Sequence, residues 1–235
     1  MNVTEETIGS LNCKCMFAPH ATMGVALWHG YGANANDLVS LVRELQPGLP
    51  DVSWILPEGI LDLGGFPGNT SRAWFPVDHS AVEQAMARGE YRDRRHVTPD
   101  GLGEAAERSR VFLEALVHTG RFDRIIIGGF SQGAMVATEL ALNLTARLRP
   151  AGLIVLSGTL LHMNQWAQQM RQQPARPFFQ SHGRHDPLLN PAHARELHSL
   201  LQGAGWTGEL LEFAGGHEIP PPIVQALTNW LRNQL

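Results

Sequence analysis

Short apolar runs bounded by glycine or proline alternate along the chain with longer segments in which apolar residues recur at helical spacing. Within the short runs, apolar and polar positions hardly alternate, which is typical of strands that are buried on both faces. Sheets of parallel strands are buried in this way when helices cover both of their faces. The pattern therefore predicts an α/β fold with a mostly parallel central sheet and helices on both faces.

Seven strands and six helices follow from this pattern. The predicted strands cover residues 13–18, 24–28, 53–56, 124–128, 152–156, 178–182 and 209–213. The predicted helices cover residues 35–45, 99–117, 132–147, 160–172, 191–204 and 222–234. Two of these helices have clear start signals, because Thr98 and Asn190 can each cap a helix whose first residue is the following proline.

Residues 59–95 do not follow the pattern, because Gly64-Gly65, Pro67-Gly68 and Asn69 interrupt any long element. We expect an irregular excursion over the edge of the sheet, of the kind that often shapes a substrate pocket. No repeat or linker divides the rest of the chain, and 235 residues lie within the range that α/β folds fill as one domain. The sequence therefore predicts a single domain over residues 1–235.

Composition and charge exclude several classes of protein. The formal net charge is −4, so the chain lacks the basic excess that is typical of proteins that bind nucleic acid or anionic lipid. Its one basic run, residues 92–96, has acidic neighbours and is interpreted as a solvated loop rather than as a binding site. Residues 1–10 are polar, unlike a secretory signal, and no apolar stretch reaches the roughly 18 residues of a membrane helix. We expect a soluble, cytoplasmic protein without stable membrane insertion.

The two cysteines, Cys13 and Cys15, are predicted on one strand with their side chains on the same face. Positions two apart on a strand rarely give good disulfide geometry, and two thiols cannot form a zinc site by themselves. We therefore expect both thiols to be reduced and structural.

One predicted strand ends in a motif that can carry chemistry. The strand 124–128 leads into Gly129-Phe130-Ser131-Gln132-Gly133, and a helical pattern follows at once. In a strand, sharp turn and helix of this kind, the serine has a strained backbone, and the residues two before and two after it must be small. Gly129 and Gly133 occupy those two positions. The bare five-residue pattern also occurs by chance in glycine-rich proteins, so its interpretation depends on partner residues elsewhere.

Suitable partners lie later in the chain. A serine hydroxyl is a poor nucleophile unless a base removes its proton, and the usual base is a histidine oriented by a carboxylate. After a serine turn of this type, the acid precedes the histidine in the sequence. Asp186 follows the predicted strand 178–182, and His217 follows the strand 209–213. We therefore predict a catalytic set of Ser131, Asp186 and His217.

The other histidines and a metal site are the alternatives to this assignment. His29 is interpreted as stabilising a turn, His182 as a structural histidine at a strand end, and His185 as a surface or supporting residue. A metal site built from His182, His185 and Asp186 has suitable ligand types but would crowd them into one short loop. We expect a site without metal or cofactor, because the serine set already provides a complete mechanism.

The oxyanion site is predicted from an early loop and from the turn itself. The strand 24–28 runs into Gly30-Tyr31-Gly32. In hydrolases with a serine turn of this type, one backbone donor comes from the loop after this early strand and the other from the residue after the nucleophile. We assign these donors to the N–H groups of Tyr31 and Gln132, which would stabilise the negative charge that develops on the substrate oxygen.

With these residues placed, the chain resembles the phospholipase/carboxylesterase family of the α/β-hydrolase superfamily, which includes acyl-protein thioesterases and small bacterial carboxylesterases. The resemblance runs from about residue 24 to the end. It rests on Leu27-Trp28-His29-Gly30-Tyr31-Gly32 with Asn36-Asp37-Leu38, on Arg72-Ala73-Trp74-Phe75, on Gly129-Phe130-Ser131-Gln132-Gly133, on His182-Gly183 with Asp186-Pro187, and on Gly216-His217. Family members usually have leucine in place of Tyr31 and aspartate in place of Pro76, so the acyl preference of relatives does not transfer directly.

The resemblance implies an α/β-hydrolase fold and hydrolysis of carboxylic esters or thioesters through an acyl-enzyme at Ser131, without a cofactor. Acyl-protein thioesterase activity, lysophospholipase activity and a non-catalytic binding scaffold on the same fold are the alternatives. The expected partner is a small ester or thioester, an acylated protein or a lysophospholipid, and the family often forms homodimers.

Apolar residues near the predicted site are candidates for substrate binding, and ordinary core packing is the alternative for each. The candidates are Phe66, Trp74, Phe75 and Leu160, together with Leu161, Met163 and Trp166.

Overall fold

An eight-stranded sheet forms the centre of the computed structural model. The structure describes residues 1–66, 69–145 and 148–235, and the side chains of all of these except Phe66 and Asn69. The sheet strands are β1 (Thr4–Ile8), β2 (Leu11–Met16), β3 (Met23–Trp28), β4 (Val52–Pro57), β7 (Arg124–Phe130), β8 (Gly152–Leu156), β9 (Pro177–Gly183) and β10 (Thr207–Phe213). Their order is β1-β2-β4-β3-β7-β8-β9-β10. The last six strands in this order are parallel, and β1 and β2 add an antiparallel edge, so the predicted α/β class is confirmed.

Seven helices accompany the sheet in the described part of the chain. They are α1 (Ala35–Leu45), α2 (His79–Ala87), α3 (Leu102–His118), α4 (Gln132–Asn143), α5 (Met163–Gln172), α6 (Pro191–Gly203) and α7 (Pro221–Arg232), with a short 3-10 turn at Gln46–Gly48. Buried residues of α1 and α7 belong to one hydrophobic cluster, and those of α3, α4, α5 and α6 belong to a second. The helices therefore cover both faces of the sheet.

The strand sequences explain why both faces are buried. In β3, Val25 and Leu27 pack into the cluster of α1 and α7, whereas Ala26 and Trp28 pack into the opposite cluster. Successive side chains of a strand point to opposite faces, so an uninterrupted apolar run serves two cores at once. Cys13 and Cys15 are both buried and free, as predicted for two reduced thiols on one face of β2. Within the described residues, no helix is long and apolar enough to span a bilayer.

All seven predicted strands are present, although most of their bounds differ from the prediction by one or two residues. The structure also contains elements that the pattern did not predict. The polar N-terminal segment forms β1, which pairs with β2. The predicted cap at Thr98 is wrong, because α3 begins at Leu102 after Gly101, and the Thr98 hydroxyl bonds to His162 Nδ1 at 2.7 Å instead. The cap at Asn190 is confirmed, since its side chain accepts from the Ala192 N–H at 2.9 Å. The end of the predicted helix 132–147 includes positions 146 and 147, which lie outside the described residues.

The segment 59–95 is more regular than predicted. It contains a two-stranded antiparallel sheet of β5 (Leu61–Phe66) and β6 (Asn69–Ala73), followed by α2. The strand β6 docks on the loop after β3, where the N–H of Gly32 donates to Arg72 O at 2.9 Å and the N–H of Arg72 donates to Ala33 O at 3.0 Å. This segment is thereby held at the edge of the sheet where β3 ends.

The parallel strands bring four chain segments to that same edge. Because carboxyl ends of parallel strands meet at one edge of a sheet, the loops after β3, β7, β9 and β10 lie side by side. These are the loops that carry Tyr31, Ser131, Asp186 and His217.

Candidate active site

Ser131 lies in the turn between β7 and α4 with φ 55 and ψ −117. Non-glycine residues rarely adopt such a positive φ, and strain of this kind persists only where the surroundings enforce it. A Cβ atom added to Gly133 would lie 2.1 Å from the carbonyl oxygen of Trp28, and one added to Gly129 would lie 2.6 Å from the same oxygen. The two glycines are therefore required for the turn to pass close to β3.

The acid and the histidine are joined by a short hydrogen bond. His217 Nδ1 lies 2.6 Å from Asp186 Oδ2, and Asp186 is wholly buried. The two loops also bond to each other, since the His185 N–H donates to Gly215 O at 2.9 Å. A side chain at Gly183 would lie 2.0 Å from Gly216 O, so only glycine allows this close approach. With Nδ1 bound by Asp186, the second ring nitrogen of His217 is the one available to a proton on Ser131.

The Asp186 carboxylate is held ionised by its surroundings. Burial by itself would raise the pKa of Asp186, but hydrogen bonds from His182 and His217, the charge of His217 and a bond from the Leu189 N–H together outweigh burial. The pKa of this carboxyl is therefore well below its usual range. A negative Asp186 can orient the imidazole of His217 and stabilise its protonated form.

His182 has the structural role that the sequence suggested. It is buried, and its Nε2 lies 3.2 Å from Asp186 Oδ2 and 3.1 Å from Leu189 O. His185 is exposed. In the described residues, no group of three or more His, Cys, Asp or Glu side chains is arranged to hold a metal ion.

Two backbone amides at and beside the serine turn have no acceptor in the described chain. In the described chain, neither the Tyr31 N–H nor the Gln132 N–H donates a hydrogen bond to a protein acceptor. Gln132 is the first residue of α4, where amide groups lack an intrahelical acceptor and attract negative charge. The loop of Tyr31 lies close to the serine, since a Cβ at Gly30 would be 3.4 Å from Ser131 Cβ.

The side chain of Gln132 joins the turn to the segment after β6. Its Oε1 accepts from the Trp74 N–H at 2.9 Å, and its Nε2 donates to Phe75 O at 2.7 Å. Trp74 Nε1 donates in turn to His29 O at 2.9 Å. Three loops at the sheet edge are thereby locked to one another.

His29 stabilises its own loop. It is wholly buried, its Nε2 accepts from the Gly59 N–H at 2.9 Å, and its Nδ1 lies 2.8 Å from Gly30 O. An acceptor at Nε2 and a donor at Nδ1 describe a neutral ring with both nitrogens in use. His29 is therefore not available as a base, in agreement with the sequence interpretation.

A cavity of about 230 Å³ opens at the serine turn. Both Ser131 and His217 line it, and the buried Asp186 lies behind His217, to which it is hydrogen-bonded. The other lining residues come from the loop after β3, from segment 75–94, from the start of α4 and from the loop after Asp186: Gly30, Tyr31, Ala33, Phe75, Val77, His79, Val82, Arg94, Phe130, Gln132, Met135, Leu188 and Leu189.

Of the predicted substrate-binding residues, the structure brings Phe75 to the cavity. Trp74 is instead a core residue, because it is wholly buried and packs against Trp28 at a ring separation of 6.4 Å. Leu160 is also buried in the core, as are Leu161 and Trp166. The side chain of Phe66 lies outside the described residues.

Several residues that line the cavity were not predicted from the sequence. Val77 lies just before α2 and Val82 lies within it, and this helix was not predicted because a glycine-rich segment precedes it. Asp78 is the signal that could have located the helix, since its side chain caps it by accepting from the Ala81 N–H at 3.0 Å. Arg94 belongs to the basic run that was interpreted as a solvated loop. That interpretation is wrong for Arg94, because its side chain is partly buried, with Nε enclosed, and the residue lines the cavity.

Known proteins are similar to this chain in sequence and fold. Residues 18–235 match the family described as Phospholipase/Carboxylesterase. An acyl-protein thioesterase 1 of Cryptococcus neoformans is 28% identical over 233 residues, which cover 91% of this chain and 93% of that protein. The mouse lysophospholipase-like protein 1 is 32% identical over 129 residues, covering 52% of each chain. The crystal structure of esterase PE8 covers all of both chains with a TM-score of 0.78 and 24% identity.

Proposed function

The chain belongs to the phospholipase/carboxylesterase family, and from this premise we propose how its residues hydrolyse their substrate. It is a serine hydrolase that acts on carboxylic esters or thioesters. The proposal concerns the roles of individual residues and the class of acyl compound.

In the first half-reaction, Ser131 Oγ attacks the substrate carbonyl carbon while His217 accepts the hydroxyl proton. The ester or thioester bond breaks, and His217 returns that proton to the leaving alcohol or thiol. In the second half-reaction, water attacks the acyl-enzyme with His217 as base, which releases the acid and restores Ser131. The buried carboxylate of Asp186 stabilises the protonated imidazole in both steps.

The negative oxygen formed in each half-reaction is bound by the amides of Tyr31 and Gln132. Neither group donates to a protein acceptor among the residues that the structure describes, and the second lies at a helix N-terminus that favours negative charge. Removal of one such donor typically lowers turnover about a hundred- to a thousandfold.

The observation that carries this proposal is the meeting of a strained serine with a paired histidine. The 2.6 Å contact between Asp186 and His217, the cavity that His217 shares with Ser131, and the φ of 55 at Ser131 support the roles of base and nucleophile. A binding scaffold has no use for either the strain or the buried carboxylate bound to a histidine.

The acyl group is proposed to occupy the apolar part of the cavity near Phe75, Val77, Val82 and Leu188. The names of the relatives suggest two substrate classes, acylated proteins and lysophospholipids. The partner is therefore proposed to be an acyl ester or thioester of either class.

A substrate panel tests the proposal. Matched p-nitrophenyl esters, acyl thioesters and lysophospholipids are assayed with the wild-type protein and with Ser131→Ala. We expect hydrolysis of at least one class and a loss of at least a thousandfold in kcat in the variant. Hydrolysis that survives in Ser131→Ala would contradict the role of Ser131, and a wild-type protein inactive on all classes would favour the scaffold.

A further inference from the structure

Arg94 is the one Lys or Arg side chain among the residues described as lining the cavity of Ser131 and His217. Arg94 shares the cavity with mostly apolar neighbours such as Val77, Val82 and Leu188, and it also borders an adjoining pocket that Asp78 and Asp100 line. No aspartate or glutamate lies among the described residues that line the cavity of Ser131 itself. The cavity therefore combines an apolar surface with a single positive charge.

The guanidinium has no counterion among the residues that the structure describes. The side chain of Arg94 takes part in no salt bridge or hydrogen bond there, and its Nε is buried without a partner. Its neighbours in the sequence differ, because Arg95 pairs with Asp93 at 2.7 Å and with Glu196 at 2.8 Å. Arg92 is also engaged, since it donates to Asp78 O at 3.3 Å.

The nearby acid, Asp78, is committed elsewhere. Its carboxylate caps α2 by accepting from the Ala81 N–H at 3.0 Å and lies 3.9 Å from Arg92. Burial lowers the pKa of Arg94, with a further lowering from the charge of Arg92 and an opposing effect of Asp78, but a guanidinium stays protonated at neutral pH. A partly buried cation without a counterion is costly, and an incoming anion would relieve that cost.

We propose that Arg94 binds an anionic group of the substrate, so that the protein selects negatively charged esters over neutral ones. The proposal deepens the proposed function and depends on it. A guanidinium offers two parallel N–H donors that match the oxygens of a carboxylate or a phosphate. The bound group is therefore a carboxylate or phosphate carried by the same molecule whose carbonyl Ser131 attacks.

Three pairs of substrates test for the charge and locate it. The first pair, p-nitrophenyl hemiglutarate and p-nitrophenyl valerate, places a carboxylate on the acyl half. The second, 4-acetoxybenzoate and 4-acetoxybenzamide, places it on the alcohol half. The third, 4-acetoxyphenyl phosphate and 4-methoxyphenyl acetate, places a phosphate there. For each pair, the quantity measured is kcat/KM of the anionic ester divided by kcat/KM of its neutral match.

The variants are Arg94→Met, Arg94→Lys and the matched control Arg92→Gln. We expect Arg94→Met to lower the anionic-to-neutral ratio about tenfold in at least one pair, because the methionine keeps the apolar stem without the charge. Arg94→Lys retains the charge and is expected to lose less than Arg94→Met. The control removes a neighbouring arginine that is paired outside the cavity, and its ratio should stay within twofold of wild type.

A fall of at least fivefold in one pair supports the proposal, and a smaller change in every pair overturns it. Dividing by the neutral ester removes any general loss of folding or catalysis, which lowers both rates alike. The outcomes also distinguish a failure of the proposed function from a failure of the role of Arg94. If no ester is hydrolysed by the wild-type protein, the proposed function fails; if neutral esters are hydrolysed and the ratios do not respond to Arg94, only the role of Arg94 fails.

Discussion

At the scale of single residues, the Asp186 carboxylate is bound from two sides. His217 and His182 approach Oδ2, while the amides of Leu188 and Leu189 donate to Oδ1 at 2.8 and 3.0 Å. These contacts fix both the charge and the direction of the carboxylate. Asp186 is therefore expected to affect catalysis and acid stability together.

Replacing Asp186 by asparagine should lower kcat about 10⁴-fold, as in serine hydrolases whose acid is replaced, because the amide cannot stabilise the protonated imidazole. The measurement is kcat on a p-nitrophenyl ester at pH 7.5. Asp51→Asn is the matched control, since Asp51 is exposed at the start of β4, away from the site edge. A loss of less than tenfold in Asp186→Asn would contradict the assigned role.

The same variant should change how stability depends on pH. The pKa of Asp186 is lowered on folding, so its stabilising contribution is complete above the ordinary aspartate pKa of about 3.9 and is lost as pH falls further. Urea unfolding of wild type and Asp186→Asn should give a constant difference in free energy from pH 7 to 5. Below pH 4 that difference should shrink by about 1.4 kcal/mol per pH unit. A difference that is unchanged down to pH 3 would count against an ionised, paired Asp186.

At the scale of elements, the serine turn depends on β3 lying directly against it. The carbonyl oxygen of Trp28 occupies the space where side chains at positions 129 and 133 would project. Gly133→Ala is expected to destabilise the protein by about 3 kcal/mol, because backbone rather than a flexible side chain must move. Ester hydrolysis should be lost along with the turn geometry.

Gly103→Ala provides the matched control for this prediction. Gly103 lies in the first turn of α3, and a Cβ there would meet nothing within 4 Å. The substitution should raise the free energy of unfolding by about 0.5 kcal/mol through the lower backbone entropy of the unfolded chain. Urea denaturation of both variants measures the contrast, and equal stability of Gly133→Ala and wild type would refute the account of the turn.

The elements that the sequence pattern predicted are those whose burial comes from apolar runs. The strand β8 and the helix α1 match their predicted bounds, because local signals determine where they start and end: an apolar run in β8, and an apolar stripe with a capping box of Asn34 and Asp37 in α1. In contrast, β1 is mostly polar and is defined by its pairing with β2, and β6 is defined by its contacts with the loop after β3. Such pairing depends on distant residues, so local periodicity could not reveal it.

The same reasoning applies to the candidate site. Ser131, Asp186 and His217 could be located because their motifs lie directly after apolar strands, whose carboxyl ends must meet. The residues that line the cavity could not be located in this way. Phe75 lines the cavity and Trp74 packs in the core, yet both are aromatic residues of the same motif, so residue type does not distinguish them. Arg94 had no signal of its own within a charged run.

At the scale of the whole molecule, both cysteines are buried in the hydrophobic cluster that includes α3, α4, α5 and α6. Burial raises the pKa of Cys15 to about 12, with a smaller contribution from Glu6, and raises the pKa of Cys13 as well. Because the thiolate is the reactive form, the native protein should not react with a disulfide reagent at pH 8 within minutes. In 8 M urea, two thiols per chain should react, and rapid modification of the native protein would contradict this packing.

The family membership, the fold and the cavity all converge on one atom, Ser131 Oγ. In the proposed mechanism, its reactivity depends on the strain of the turn, on the base and acid from two other loops, and on the amides of Tyr31 and Gln132. The turn, the base, its acid and the Tyr31 amide come from different loops, so the whole fold is needed to bring them together.

The most direct test is covalent trapping with a fluorophosphonate, followed by intact mass measurement and peptide mapping. The account predicts one adduct per chain, located on Ser131, and no adduct in Ser131→Ala. An adduct on another residue, equal labelling of the variant, or an unlabelled wild-type protein would contradict it.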